Sequence, residues 1–518
     1  QYEKRNIAVD IPEWDKDSCL QCALCSYVCP HAAIRAKIYD PSCLDGAPET
    51  FKSVMAKGIK DKELCYTIQV APEDCTGCGA CVYTCPGKRK DADGNKTEEK
   101  TLKMVFQYDI REAERANYDF FLNKLPESDI SLFKQSTIKG SQLIKPLFEY
   151  SGACAGCGET PYVKLLTQLF GDRLMVGNAT GCSSIYGGNL PTTPYTTRED
   201  GRGPTWSNSL FEDAAEFSFG MRLAVDRFKA NAYEIMNDMV KAGSPHSDYI
   251  KTIMEAPQKT LQEIEDQRKR VADLVTHLKK DSSFEARRLV ELSDYLVEKS
   301  IWAMGGDGWA YDIGYGGLDH VMASGKNINA IVLDTEVYSN TGGQMSKSTP
   351  CASTAKFAEG GKEMPKKDLA MMMMAYGNVY VARVAFGASP NQALKAFIEA
   401  EAYDGPSIVI CYSHCIAHGI NMTTGVDQQK KAVNSGHWVL MRYNPDLIKE
   451  GKNPLQIDSK EPTMSFSEYA YSETRYKTLK RLNEEHAAKL MDRAEAATLF
   501  RSDLYRKMAG MDYGGKKE

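Results

Sequence analysis

Two tight cysteine runs near the start of the chain have the spacing of iron–sulfur cluster ligands. The first run is Cys19, Cys22, Cys25, Cys29 and then Pro30, and the second is Cys75, Cys78, Cys81, Cys85 and then Pro86. Both follow the C-x2-C-x2-C-x3-C-P pattern of two-cluster ferredoxins, in which the fourth cysteine ligates the other cluster. We therefore predict one [4Fe–4S] cluster on Cys19, Cys22, Cys25 and Cys85, and a second on Cys75, Cys78, Cys81 and Cys29. The alternative is a pair of zinc sites, but zinc knuckles use two CxxC pairs.

A further pair, Cys154 and Cys157, lies in the stretch YSGACAGCGE (150–159). Two ligands cannot close a four-ligand site, so this pair needs partners from elsewhere in the chain. The cysteines without ligand spacing are expected to be structural thiols: Cys43, Cys65, Cys351 and Cys411.

Two glycine-rich loops predict a site for a diphosphate and its metal ion. In GGDGWAYDIG, which follows SIWAM (300–304), Asp307 stands between Gly306 and Gly308. The loop TEVYSNTGGQ follows INAIVLD (328–334) and begins at Thr335. An acidic GDG followed by an oxygen- or amide-bearing turn one strand later is the fingerprint of thiamine diphosphate binding, because magnesium takes about six oxygen ligands.

The predicted Mg²⁺ ligands are the Asp307 carboxylate, the Thr335 hydroxyl and the Val337 carbonyl. The usual pattern has asparagine at the second of these positions, and this chain has threonine. The other residues predicted to bind the cofactor are Gly306, Gly308, Asn340, Thr341 and Gly342.

The elements that must position these loops are short apolar runs alternating with helical stretches. The runs are 173–179, 300–304, 328–334, 379–386 and 407–415. Continuous β-branched runs indicate buried parallel strands, and ligands of such sheets lie at the carboxyl ends of the strands. The predicted fold is an open, mostly parallel α/β sheet preceded by an α+β two-cluster ferredoxin-like domain.

We place the ferredoxin-like domain at residues 1–130, with a polar, turn-rich stretch at 88–100 and a charged helix near 109–124. The α/β domain follows at 131–518. Within it, heptad-spaced apolar residues and the stretch SSFE (282–285), a capping-box pattern, predict a helical insertion over about 225–300. A helical tail is expected from about 440 to 518.

Composition narrows the class of protein. The chain has 518 residues, 26% of them charged, and a net charge of -5. These values do not favour nucleic-acid binding, and no apolar run is long enough for a transmembrane helix. Most of the sixteen cysteines stand in metal-binding spacings, which indicates a reducing, cytoplasmic location. Since the sequence does not begin with Met, we expect a fragment or a processed piece.

With these motifs in place, the chain resembles the C-terminal part of the pyruvate:ferredoxin oxidoreductases, a family of thiamine-dependent 2-oxoacid oxidoreductases. The stretches that carry the resemblance, besides the ferredoxin runs, are 150–160, 180–196, 201–221, 305–320 and 334–350. The family's N-terminal half, with the glutamate that activates the cofactor, is not represented. The isolated chain is therefore expected to show no oxoacid turnover.

The resemblance implies a third [4Fe–4S] cluster held by Cys154, Cys157, Cys182 and Cys415, with a zinc site as the alternative. His414 and His418 near this site are expected to be structural. The implied reaction is oxidative decarboxylation of pyruvate with coenzyme A to acetyl-CoA and CO₂. Electrons would pass one at a time from thiamine diphosphate through three clusters to ferredoxin or flavodoxin. Asn340 is the expected substrate-orienting residue, and a homodimer is the expected assembly.

Two other functions stay open from the sequence. The chain could belong to a relative acting on another 2-oxoacid, such as 2-oxoglutarate, because selectivity depends largely on the half that is not represented. It could also be an electron-transfer subunit without bound thiamine, which the two glycine-rich loops argue against.

Overall fold

Short strands and helices surround the two cysteine runs in the first 150 residues. The structure is a computed structural model that describes residues 4–59, 63–91, 93–188 and 192–514. Residues 189–191, within one of the stretches that carry the resemblance, therefore lie outside the described residues. The elements of this first part are β1 (Asp10–Trp14), α1 (Leu24–Val28), β2 (Ile34–Tyr39), β3 (Val54–Met55), β4 (Cys65–Val70), α2 (Ala80–Thr84), β5 (Lys88–Lys90), β6 (Lys96–Lys100), β7 (Leu102–Phe106), α3 (Gln107–Asn123) and α4 (Ile138–Leu143).

Each cysteine run continues into a short helix, α1 or α2. β1 pairs antiparallel with β7, and β2, β4 and β3 form a second antiparallel sheet. The stretch 88–100, predicted as turn-rich, forms the β5–β6 hairpin. The Asp91 carboxylate accepts hydrogen bonds from two backbone amides of its turn. The charged helix predicted near 109–124 is confirmed as α3.

The larger part of the chain contains the remaining strands and most of the helices. These are α5 (Thr160–Phe170), β8 (Leu174–Ala179), α6 (Cys182–Gly187), β9 (Thr205–Ser209), α7 (Ala214–Lys241), α8 (Ser247–Glu255), α9 (Leu261–Leu278), α10 (Phe284–Leu292), β10 (Ser300–Gly305), α11 (Asp307–Tyr311), α12 (Tyr315–Ala323), β11 (Asn329–Asp334), α13 (Leu369–Met374), β12 (Tyr380–Val384), α14 (Pro390–Ala402), β13 (Ser407–Tyr412), α15 (Gly425–Asn434), β14 (Met441–Tyr443), α16 (Asp446–Lys449), β15 (Leu455–Ile457), α17 (Phe466–Ala470), α18 (Thr474–Leu482) and α19 (Glu484–Ala509).

These strands form an eight-stranded sheet in the order β15-β14-β12-β13-β11-β10-β8-β9. The six strands from β12 to β9 are parallel, which confirms the predicted open, mostly parallel α/β sheet. The five apolar runs of the sequence each contain one of these strands. Their carboxyl ends lie at one edge of the sheet, where the two glycine-rich loops begin.

The sheet is buried on both faces. On β10, Ile301 and Ala303 pack into one apolar core, while Trp302 and Met304 pack into the core on the opposite face. Successive side chains of a strand point to opposite faces. A strand covered on both sides therefore has a continuous apolar sequence, and this is the pattern that identified the strands.

The helical insertion is present, but it begins earlier than predicted, at Ala214, where α7 starts. It comprises α7 to α10 and has its own apolar core, which includes Ile264, Val271 and Leu278 on α9. The N-cap of α10 is Ser283, one residue beyond the predicted capping position. A reciprocal capping box opens α9 instead, between Thr260 and Glu263.

Truncation of the insertion core should lower stability without affecting the cofactor sites. Leu274 is fully buried in this core, so Leu274→Ala should cost about 2–5 kcal/mol of unfolding free energy. Chemical denaturation would measure the loss. The variant should keep its iron, and a loss of iron under native conditions would show that the insertion supports the cysteine sites.

The tail predicted as helical from about 440 is helical only in its later part. It begins with β14 and β15, which add to the edge of the sheet in antiparallel orientation. Each strand has three residues, which is too short to give a recognisable alternation. α17 to α19 follow, and the Tyr505 hydroxyl on α19 donates to Asp368 at 2.6 Å. None of the described helices is both long and apolar enough to cross a membrane.

Candidate active site and cysteine sets

The two N-terminal cysteine runs exchange their fourth members in space. The first cysteine set is Cys19, Cys22, Cys25 and Cys85, and the second cysteine set is Cys29, Cys75, Cys78 and Cys81. Burial raises the pKa of the other three thiols of the first set, and the nearby Cys85, from the second run, raises it further. Cys29, from the first run, does the same within the second set. The structure thus brings together the eight cysteines in the two sets that the spacing predicted.

The second set lines a small cavity, which also contacts Pro12 and Met104. All four cysteines of the set are among the residues that line it. Burial raises the pKa of Cys75 to about 12, while the Gly77 amide donates to its sulfur at 3.4 Å. Cluster ligation requires thiolates, which iron would stabilise against this burial. Four cysteines around one small cavity provide the number of ligands that a cubane cluster requires.

A third cysteine set is assembled from distant parts of the chain: Cys154, Cys157, Cys182 and Cys415. Cys182 is the first residue of α6, just after β8, and Cys415 follows β13. Burial raises the pKa of Cys157, Cys182 and Cys415. The nearby Cys415 adds to the shift at Cys157 and Cys182, and Cys154 adds to the shift at Cys415. The four residues that the resemblance assigned to one cluster are therefore neighbours.

Close backbone packing holds the Cys154–Cys157 loop in place. A Cβ atom on Gly158 would lie 2.4 Å from the backbone oxygen of His414, so only glycine fits there. The His414 Nε2–H donates to the Gly156 carbonyl oxygen at 3.0 Å, and Nδ1 accepts from the Gln429 side-chain amide at 3.1 Å. His418 lies 2.6 Å from the Thr335 carbonyl. Both histidines are buried and support loops of the site.

The two glycine-rich loops meet at the edge of the sheet. The Thr335 amide donates to Asp307 at 3.1 Å, and the Ser346 hydroxyl donates to the same carboxylate at 3.0 Å. The Thr335 hydroxyl lies 2.9 Å from the Val337 carbonyl oxygen. The three predicted magnesium ligands are thus joined by direct contacts. Between the loops, a Cβ on Gly308 would lie 2.9 Å from the Glu212 carboxylate.

The chemistry of this donor set fits a magnesium ion. Asp307 is 3% exposed, and burial together with the nearby Asp334 carboxylate raises the pKa of Asp307 well above its usual range. Within the described ranges, no lysine, arginine or histidine forms an ion pair with this carboxylate. A hard cation with oxygen ligands would supply the missing positive charge.

The remaining predicted cofactor residues lie further along the second loop. Asn340 and Thr341 are exposed, and the Thr341 hydroxyl donates to Gln344 at 2.6 Å. Gly342 has a φ of 107°, and Lys356 Nζ would be 2.8 Å from a Cβ there. Gly306 opens the first loop, and a Cβ added there would lie 3.6 Å from the Leu333 carbonyl oxygen. Asn340, Thr341 and Gly342 thus form an exposed segment of the second loop, while Asp307 itself is buried.

The third cysteine set contacts the predicted metal-binding loop, which is the second glycine-rich loop (335–344). Cys182 Sγ lies 3.2 Å from the Ser339 hydroxyl, and Ser339 Oγ lies 3.4 Å from Thr335 Oγ1. One residue therefore links a thiol of the third cysteine set to a predicted metal ligand. Ser339 has no pattern of its own in the sequence, so only the structure identifies it.

A buried charge network under the metal-binding loop is a second feature that the sequence did not predict. Glu336 is fully buried and has a φ of 61°, which is unusual for a non-glycine residue. Its carboxylate meets Arg475 at 2.7 Å, His437 at 2.8 Å and Lys366 at 3.2 Å. Burial alone would raise the pKa of Glu336, but Lys366 first, and then His437 and Arg475, hold it well below its usual range. The network fixes the residue between Thr335 and Val337.

Neutralising Glu336 should loosen this loop. Glu336→Gln removes one carboxylate from Arg475 and Lys366, which keep Glu473 and Asp334 as partners. We therefore expect a loss of about 3 kcal/mol of stability, the lower end for a broken buried pair, and weaker magnesium-dependent binding of thiamine diphosphate. Thermal unfolding and calorimetry would measure the two effects. Glu359→Gln, at an exposed position of the same region, is the matched control. If the two variants had the same stability and the same affinity for thiamine diphosphate, the network would have no role in fixing the loop.

The described residues contain no group of three or more histidine, cysteine, aspartate or glutamate side chains close enough to hold a single metal ion. The predicted magnesium site has one carboxylate, a hydroxyl and a carbonyl, and so is not a group of that kind. The three cysteine sets are not such groups either, because each thiolate of a cubane binds a different iron and the four ligands are spread around the whole cluster.

Comparison with known proteins identifies both cofactor regions. Residues 290–411 match the C-terminal TPP binding domain of thiamine pyrophosphate enzymes. Residues 11–34 match a 4Fe-4S binding domain. The first match contains both glycine-rich loops, and the second contains the first cysteine run.

Relatives match along almost the whole chain. A pyruvate-flavodoxin oxidoreductase from Nostoc sp. is 56% identical over 515 residues, which is 98% of this chain and 42% of that protein. A pyruvate:ferredoxin oxidoreductase from Moorella thermoacetica is 51% identical over 98% of this chain and 43% of its own length. A pyruvate-flavodoxin oxidoreductase from Rhodospirillum rubrum is 48% identical over 99% of this chain and 42% of that protein.

The chain thus spans less than half the length of the curated relatives it matches. On this identity, the chain corresponds to the C-terminal part of the pyruvate:ferredoxin (flavodoxin) oxidoreductases.

Proposed function

We propose that this chain is the thiamine- and cluster-bearing part of an enzyme that oxidises pyruvate with coenzyme A to acetyl-CoA and CO₂. The electrons would leave to ferredoxin or flavodoxin. The observation that carries the proposal is the contact between Cys182 and Ser339, because it joins the third cysteine set to the metal-binding loop. A cofactor oxidised at this loop would have its first electron acceptor directly beside it.

In this proposal Asp307, Thr335 and Val337 hold Mg²⁺, which in turn holds the diphosphate of thiamine diphosphate. When bound, thiamine diphosphate supplies a carbanion that adds to the ketone of the oxoacid and an electron sink for decarboxylation. Gly306 and Gly308 let the backbone approach the diphosphate, and Asn340 to Gly342 border the open side of the site. We assign Asn340 the orientation of the substrate.

Three [4Fe–4S] clusters on the three cysteine sets would carry the electrons. The second set lies next to the third, since the Gly156 amide reaches the Cys78 thiol and the Thr423 hydroxyl donates to the Cys78 carbonyl at 2.9 Å. Cys25 of the first set in turn acts electrostatically on Cys81 of the second. These contacts support the order third, second, first set, with the last cluster passing electrons to the external carrier.

The domain organisation belongs to the same proposal. A two-cluster ferredoxin-like domain would occupy residues 1–130 and the thiamine diphosphate domain residues 131–518. A homodimer and a reducing, cytoplasmic setting complete it by analogy with the family. Turnover would also require the part of the enzyme that this chain does not span.

Calorimetry would test the cofactor site. Titration of the anaerobically purified chain with thiamine diphosphate should show binding that depends on magnesium. No binding at any magnesium concentration would instead favour an electron-transfer subunit. A substrate panel on the complete enzyme would distinguish pyruvate from 2-oxoglutarate and other 2-oxoacids.

A further inference from the structure

A lysine ammonium is buried where the thiamine diphosphate-binding part meets the N-terminal part. Lys164 lies on α5 and is 1% exposed. Its Nζ donates to the carbonyl oxygens of Tyr27 at 3.0 Å and Cys29 at 3.1 Å, and also to that of Ser26. These carbonyls are at the C-terminal end of α1, where backbone oxygens lack partners within the helix. Lys164 therefore caps α1 from the other part of the molecule.

The charge of Lys164 has no carboxylate partner in the part of the chain that the structure describes. Burial, and then the cation Arg35, lowers the pKa of Lys164 to about 8, while Cys29 and Cys25 act in the opposite direction. Arg35 is itself paired with Glu149. Burying a cation is costly unless an anion accompanies it. The hydrogen bonds to carbonyls satisfy its donors but do not neutralise its charge.

Cys29 and Cys25 belong to different cysteine sets, so Lys164 stands beside both predicted N-terminal clusters. Four thiolates give each cluster a net negative charge, and reduction adds one electron without forming or breaking a bond. A nearby buried cation stabilises the reduced cluster more than the oxidised one. Net charge and hydrogen bonding are among the factors that set cluster potentials.

We propose that Lys164 is the counter-ion of the cluster on the second set and raises its reduction potential, with a smaller effect on the first set through Cys25. This inference rests on the proposed function, which supplies both the clusters and the electrons. Lys164 touches neither substrate nor reacting atoms, and it acts through the cluster. It would make the second cluster a better acceptor for electrons leaving the third.

The test is a potentiometric titration of the full chain, purified without air, with cluster signals followed by electron paramagnetic resonance. Lys164→Gln removes the charge but keeps hydrogen-bond donors for the carbonyls. Lys37→Gln is the matched control. Lys37 is also buried and donates to two backbone carbonyls, of Phe121 and Leu125, each at 2.7 Å. No cysteine is among the charges that act on it.

With unchanged iron content, Lys164→Gln should shift the potential of the second cluster to more negative values. We expect at least about a tenfold change in the reduction equilibrium, which for one electron is about 59 mV. Lys37→Gln should leave the potentials unchanged. Full iron content with unshifted potentials in Lys164→Gln would overturn the inference. Wild-type chain without iron on the first two sets would instead refute the proposed clusters.

If Lys164→Gln fails to take up iron, Lys164→Arg decides the matter, because it keeps the charge. The inference requires Lys164→Arg to load iron and to keep potentials close to those of the wild type. Failure of this variant to load iron, or a negative shift in it as large as that expected for the neutral variant, would overturn the inference.

Discussion

Asp307→Asn should abolish magnesium-dependent binding of thiamine diphosphate. The substitution preserves the size of the side chain and an oxygen to accept from the Thr335 amide, but it removes the charge that attracts the metal. Mutating the outer-shell partners of a metal site costs about 10–100-fold in affinity, so removing a ligand charge should cost more than about 100-fold. Calorimetry with thiamine diphosphate at fixed magnesium would measure the loss.

Asp319→Asn is the control for this experiment. Asp319 lies on α12, outside both glycine-rich loops, and accepts from Tyr376 at 2.7 Å and Tyr315 at 3.2 Å. This variant should bind the cofactor as the wild type does. Full binding by Asp307→Asn would show that the magnesium ion is held elsewhere and would remove the main support for the site.

The second large effect is expected at Cys415, where Cys415→Ala should remove one whole cluster. Three remaining thiols of the third set would leave one iron without a protein ligand, and the cluster would lose its connection to β13. We expect the iron content to fall by about four atoms per chain. Binding of thiamine diphosphate should persist, since no magnesium ligand changes.

Cys411→Ala, on the strand β13 that precedes Cys415, provides the comparison. Cys411 is fully buried in the core of the sheet and is not part of any cysteine set. Its replacement should cost stability but no iron. An equal iron content in Cys415→Ala and the wild type would mean that the third set does not hold a cluster, and electrons would then lack their proposed first acceptor.

Much of the fold could be predicted because each signal was local. The parallel strands are continuous apolar runs, since both faces of the sheet are covered, and the two ferredoxin-type runs carry their ligand spacing within about a dozen residues. The two strands β14 and β15 could not be predicted in the same way. They are short, and they exist because the edge of the sheet at β12 is available for pairing.

The candidate site was predictable only where its residues are close in sequence. Asp307 and Thr335 follow consecutive strands, so the sheet itself brings them together. Cys415 is far in sequence from Cys154, and only resemblance to a family linked them. Contacts such as Glu336 with Arg475, or Lys164 with α1, arise from packing between distant segments and leave no periodic signal.

The central claim is that a thiamine diphosphate site and three clusters are joined in this chain. Iron, zinc and acid-labile sulfide per chain, measured on protein purified without air, test it most directly. We expect about twelve irons and about twelve sulfides, with no zinc, since each cubane holds about four of each. About eight irons with about one zinc would make the third set a structural zinc site. That result would contradict electron transfer from the cofactor through this set.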